Sequence, residues 1–69
     1  MSMRVSDFKK LPLVASSSSL EGITELAKKY SLSDVELSPN GDEFRVYNKR
    51  KDIGLIIKLV GRRWQMRRN

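Results

Sequence analysis

From Asp34 to the C-terminus, apolar residues recur at every second position, and three turn signals divide the run into segments whose apolar sides agree. A period of two belongs to a β-strand with one buried face, and a one-residue slip in pairing would turn a strand's whole apolar set to water. Val35 and Leu37 alternate with Asp34, Glu36 and Ser38 ahead of Pro39-Asn40-Gly41-Asp42, where Asn-Gly is a strong hairpin signal. Phe44 and Val46 follow, then the polar cluster Asn48-Lys49-Arg50-Lys51-Asp52, then Leu55, Ile57 and Leu59, and after Gly61 come Trp64 and Met66.

Each turn fixes a register. One centred on Asn40-Gly41 sets Leu37 opposite Phe44 and Val35 opposite Val46, and a longer loop from Pro39 to Asp42 keeps that pairing without forcing the proline into a tight turn. A turn centred on Arg50-Lys51 sets Val46 opposite Leu55 and Phe44 opposite Ile57, and one at Gly61-Arg62 sets Leu59 opposite Trp64 and Ile57 opposite Met66. Gly61 takes the first loop position, where a type II′ turn demands positive φ. The expectation is a four-stranded antiparallel meander near 34–38, 43–48, 53–60 and 63–68, with Leu37, Phe44, Ile57 and Met66 in one core row and Trp64 in the core beside Leu59.

The other periodic stretch is helical. Leu20, Ile23, Leu26, Ala27 and Tyr30 recur at helical spacing, with Glu21, Thr24, Glu25, Lys28 and Lys29 on the other side. Ser18 with Glu21 fits a capping box, Glu25 precedes Lys28 and Lys29 at pairing distance, and Gly22 suggests a close backbone approach. A helix over 19–30 therefore covers the apolar face of the sheet. Before it, residues 1–15 form an N-terminal segment in which Ser6 can cap one helical turn ended by Pro12. Leu11, Leu13 and Val14 are apolar enough to dock. The fold class is α+β, as a single domain over 1–69.

Size and chemistry narrow the function. A chain of 69 residues buries only about 60% of its unfolded surface, and without cysteine no disulfide or thiolate zinc site compensates. That composition suits a reducing compartment, the cytoplasm. The N-terminus lacks the apolar run of a signal peptide, and the longest apolar stretch, Leu55 to Val60, is broken by Lys58, so no membrane association is expected. Histidine and cysteine, the commonest general base, nucleophile and metal ligands, are both missing, and no glycine-rich phosphate loop occurs. Asp42 and Glu43 read as a turn residue and a partner of Lys58, Glu21 and Glu25 as a solvated helix edge, and Tyr30 as core. An enzyme, a cofactor, a metal and a small-molecule substrate are therefore not expected.

Charge points toward a partner. The chain carries 14 Lys and Arg against 8 Asp and Glu, a net charge of +6. Residues 1–44 hold five basic and seven acidic residues, a net of −2, whereas residues 45–69 hold nine basic residues and only Asp52, a net of +8. Such segregation creates a directed field that favours polyanions. The strand parity places Glu36, Glu43, Arg45, Tyr47, Ile56, Lys58, Val60, Arg63, Gln65 and Arg67 on the face away from the helix. On that face Arg45, Lys58, Arg63 and Arg67 are expected to meet phosphates and Tyr47 to stack on a base. Lys49, Arg50 and Lys51 add a basic loop at one end, and Arg62 a charge at the other.

The expected function is nucleic-acid binding, DNA or RNA, by the basic sheet face of a non-enzymatic regulator. The alternative is a regulator or inhibitor docking on an acidic protein, with Tyr47, Ile56 and Val60 as anchors and Asp34, Glu36, Asp42 and Glu43 extending the contact. Coverage of that face by residues 1–15 would weaken both. Arginines at 63, 67 and 68 protect the last strand from edge pairing, so a monomer is expected.

Overall fold

The computed structural model describes residues 8–69, and the elements that lie wholly within them are one helix and five strands. In chain order these are β1 (Leu13–Ser17), α1 (Leu20–Ser31), β2 (Glu36–Asn40), β3 (Glu43–Asn48), β4 (Lys51–Val60) and β5 (Arg63–Arg68). The strands form one antiparallel sheet in the order β1-β5-β4-β3-β2. The meander is present, and β1 is a fifth strand that the alternation does not announce. Of the helical turn expected between Ser6 and Pro12, Ser6 and Asp7 lie outside the described residues, and within them the Leu11 amide donates to the Phe8 carbonyl at 3.1 Å.

β1 hides because its side chains do not alternate. Leu13 faces Arg67 while Ala15 faces Met66, so an extra residue, Val14, bulges between them. Val14 and Ala15 both pack on the core, which removes the period-two signature. The remaining Ser16 and Ser17 read as loop, yet they pair with Gln65 and Trp64.

The last hairpin has the expected register throughout, including Ile57 with Met66 and Leu59 with Trp64. Gly61 has φ 64°, as its two-residue turn requires. The first hairpin shifts by two residues: its turn is Gly41-Asp42, so Leu37 faces Val46 and Pro39 faces Phe44. Asn40 thereby stays in the ladder, and Pro39 sits on an edge strand, where a missing amide is tolerated. An even shift keeps each residue on its expected face, so the core survives but the row runs Phe44, Ile57, Met66, without Leu37. The middle hairpin turns at Lys49-Arg50, one position earlier than expected, and β4 absorbs the difference in an irregularity between Asp52 and Ile56. There the Asp52 carboxylate accepts from the Gly54 amide at 2.8 Å. Beyond it, Phe44 meets Ile57 as expected.

Helix α1 is capped by Ser19, not Ser18: its Oγ accepts from the Gly22 amide at 2.9 Å. Ile23 and Ala27 enter the core with Val46, Leu55, Ile57 and Met66, and all six are fully buried. Phe44 and Trp64 pack nearby with ring centroids 6.1 Å apart, so Trp64 belongs to this side. Leu59 and Tyr30, both expected in the core, are 47% and 48% exposed. Tyr30 lies on the apolar stripe but in the last turn, past the covered length of the helix. Leu59 is the last helix-facing residue before the β4–β5 turn.

Candidate functional site

The face away from the helix is not an open basic platform. Lys58 is 6% exposed, and its amine donates to the Asp42 carboxylate at 2.9 Å, not to Glu43, its cross-strand neighbour. This hydrogen bond outweighs desolvation, which pushes the other way, and with lesser help from the Lys58 charge and the residue's own amide it holds the Asp42 carboxyl below its ordinary value. Ile56, expected at the surface, is also 6% exposed.

Arg67 is engaged on every side. Its guanidinium reaches Gln65 Oε1 through Nε at 3.3 Å and Nη2 at 3.0 Å, and Nη1 donates to the Leu11 carbonyl at 2.7 Å and the Lys9 carbonyl at 3.2 Å. The buried Phe8 ring lies against it, 5.3 Å from centroid to guanidinium carbon. Residues 8–11 thus close over this part of the sheet. Arg45 makes a longer ion pair with Asp52, 3.4 Å, and the exposed Arg63 donates to Ser16 Oγ at 2.9 Å. Arg45, Lys58 and Arg67 are therefore structural partners before they are ligands for phosphate. Parity assigned their face correctly. It did not anticipate that the N-terminal segment and the turn acid Asp42 would occupy them.

The β3–β4 hairpin tip is different. Lys49, Arg50 and Lys51 are all exposed, and none has an ion-pair partner among the described residues. β5 pairs with β4 only from Leu55 onward, so β4 runs past it with β3 alone, and the tip projects. Lys49 and Arg50 have φ 52° and 71°. Two consecutive left-handed residues make a tight turn of the I′ kind, which asparagine and glycine usually supply. For lysine and arginine this conformation costs roughly 1–2 kcal/mol each. Asn48, at the base of the tip, donates to Ser33 Oγ at 2.7 Å and so ties β3 to the end of α1.

Two shallow clefts flank the tip. One, of about 380 Å³, is lined by Glu36, Leu37, Ser38, Pro39, Tyr47 and Arg50. The other, of about 350 Å³, is lined by Ser33, Asp34, Glu36, Asn48 and Lys49. Tyr47 is half-buried between Glu36 and Asp52 on the neighbouring strands.

Three exposed cations outside the expected set, Lys9, Lys10 and Arg68, lie toward the same end of the sheet. Arg68 faces Leu55, and its amide donates to the Pro12 carbonyl at 3.0 Å. In the sequence Arg68 reads only as a charge guarding the last strand against edge pairing, and Lys9 and Lys10 have no assignable place without β1. Arg62 and Arg63 sit at the other end of β4, separated from the tip by about 30 Å at ~3.3 Å per strand residue. Among the described residues, no group of acidic, histidine or cysteine side chains is arranged to hold a metal, and no helix is long and apolar enough to cross a membrane. The chain matches no known family, no curated protein and no solved structure.

Proposed function

We propose that this protein binds nucleic acid through the tip of its β3–β4 hairpin, with Lys49, Arg50 and Lys51 as the primary phosphate contacts and Lys9, Lys10 and Arg68 as outlying ones. The observation that carries the reading is the backbone of the tip. Two cations occupy a turn that their residue types fit poorly, they are exposed, and they have no carboxylate partner among the described residues. A turn serving only to reverse the chain is better made by Asn-Gly. Cations projected on a hairpin reach phosphate oxygens without moving the fold, and this binding is electrostatic and sensitive to salt. Arg45, Lys58 and Arg67 support the sheet in this account, and the role expected for the open sheet face passes to its end.

The test is a variant that removes the charge while improving the turn. Lys49→Asn with Arg50→Gly should weaken binding to a labelled oligonucleotide by at least about tenfold at low salt, as two lost charge-assisted contacts imply. Affinity equal to wild type would place the site elsewhere.

A second reading has one observation in its favour. Leu32, which ends α1 with φ 59°, is 90% exposed, and Tyr30 stands beside it in sequence with Lys28 and Lys29 close by. An apolar anchor next to cations suits an acidic protein partner. Leu32→Gly would keep the left-handed cap and remove the anchor, so it should weaken such a complex and leave oligonucleotide affinity unchanged.

A further inference from the structure

We propose that the cleft between β2 and the hairpin tip receives one unpaired nucleobase that presents an amino group, which would make the protein selective for single strands. The inference rests on the reading above and adds what the tip recognises. At about 380 Å³ the cleft falls within the range of roughly 300–1,000 Å³ typical of small-ligand sites. Its lining combines an aromatic ring, a proline, a cation and a carboxylate: Tyr47, Pro39, Arg50 and Glu36. Tyr47 is held by its cross-strand neighbours yet reaches the cleft, and its hydroxyl makes no hydrogen bond among the described residues. An anchored ring of this kind is a stacking surface for a base.

Glu36 decides what can enter. It is exposed, has no ion-pair partner among the described residues and lines both clefts at the tip. An ionised carboxylate only accepts hydrogen bonds, and it repels phosphate. The backbone of a strand must therefore lie along Lys49, Arg50 and Lys51, and the group entering beside Glu36 must be a neutral donor. The exocyclic amine of cytosine is such a donor, and carboxylates recognise it. Thymine and uracil instead offer two carbonyl oxygens around one N–H and would set oxygen against oxygen. In a duplex the donor edges are already paired and stacked inside, so a duplex can use only the cations.

Fluorescence anisotropy with labelled oligo(dC), oligo(dT) and a mixed-sequence duplex tests this. Wild type should bind oligo(dC) more tightly than either of the others. Tyr47→Ala should weaken oligo(dC) binding by about tenfold or more while leaving the duplex unchanged. Tyr47→Phe should behave as wild type. Glu36→Met should abolish the preference for oligo(dC) while tightening oligo(dT), because it removes a repelling charge together with the acceptor. Thermal melts of the variants confirm that they are folded. If the protein binds but Tyr47→Ala leaves oligo(dC) affinity unchanged, or Glu36→Met keeps the preference, the base site is wrong and the phosphate reading stands. If no oligonucleotide binds at low salt, both fall together.

Discussion

Lys49 and Arg50 adopt left-handed backbone conformations that a lysine and an arginine occupy only at a cost, so fold stability and the proposed function pull in opposite directions at these residues. Lys49→Asn with Arg50→Gly should raise stability by about 1 kcal/mol, once the added freedom of glycine in the unfolded chain offsets part of the relieved strain. Chemical denaturation measures this directly, and an unchanged or lowered midpoint would mean the turn is not strained. Asp42 offers a second residue-scale prediction. Its carboxyl is depressed in the folded state by the Lys58 amine, so the stabilisation it supplies is complete above the unfolded value, about 4. That stabilisation is lost as pH falls through the folded value, which leaves Lys58 charged and buried without its anion. Asp42→Asn should therefore lower the melting temperature near neutral pH and flatten its decline in acid. Parallel curves for the two proteins would show that the pair contributes nothing.

At the level of elements, the last hairpin was fully legible because alternation and a glycine at the required position agree. Gly61→Val forces a β-branched residue to positive φ in the turn and should cost about 1–2 kcal/mol by denaturant titration, more than a surface change elsewhere. The helix was legible from its stripe, and Gly22 does mark a close approach, to a side chain of β1: a Cβ there would meet the Ser17 hydroxyl. Gly22→Ala should thus destabilise the protein despite alanine's better helix propensity, and Ser17→Ala should recover part of the loss. If Gly22→Ala alone stabilises, the contact between β1 and the start of α1 is looser than described. The first two turns were misplaced by one position, because Gly41-Asp42 and Lys49-Arg50 can each be shifted without moving any side chain to the wrong face once the partner strand gains or bulges residues. β1 was missed because its bulge at Val14 and its serines carry no periodic signal.

Across the whole molecule, sequence alone located the excess of positive charge but not its availability. The net +8 of residues 45–69 includes four side chains that the fold engages, Arg45, Lys58, Arg63 and Arg67, and the partners that engage them include Asp52, Asp42 in its turn, Ser16 and residues 8–11. The contacts made by Asp42 and by residues 8–11 join residues distant in the chain and leave no trace in local pattern, so the candidate site moved from the face of the sheet to its tip. Binding at that tip has a direct signature, because each phosphate contact adds about −0.7 to −0.9 to the slope of log affinity against log salt concentration. The decisive measurement is that slope for wild type and for Lys49→Asn with Arg50→Gly on the same labelled single strand. The slope should flatten by about 1.5 in the variant, while the variant melts above the wild-type temperature. Equal slopes in two folded proteins would contradict the hairpin tip as the nucleic-acid site.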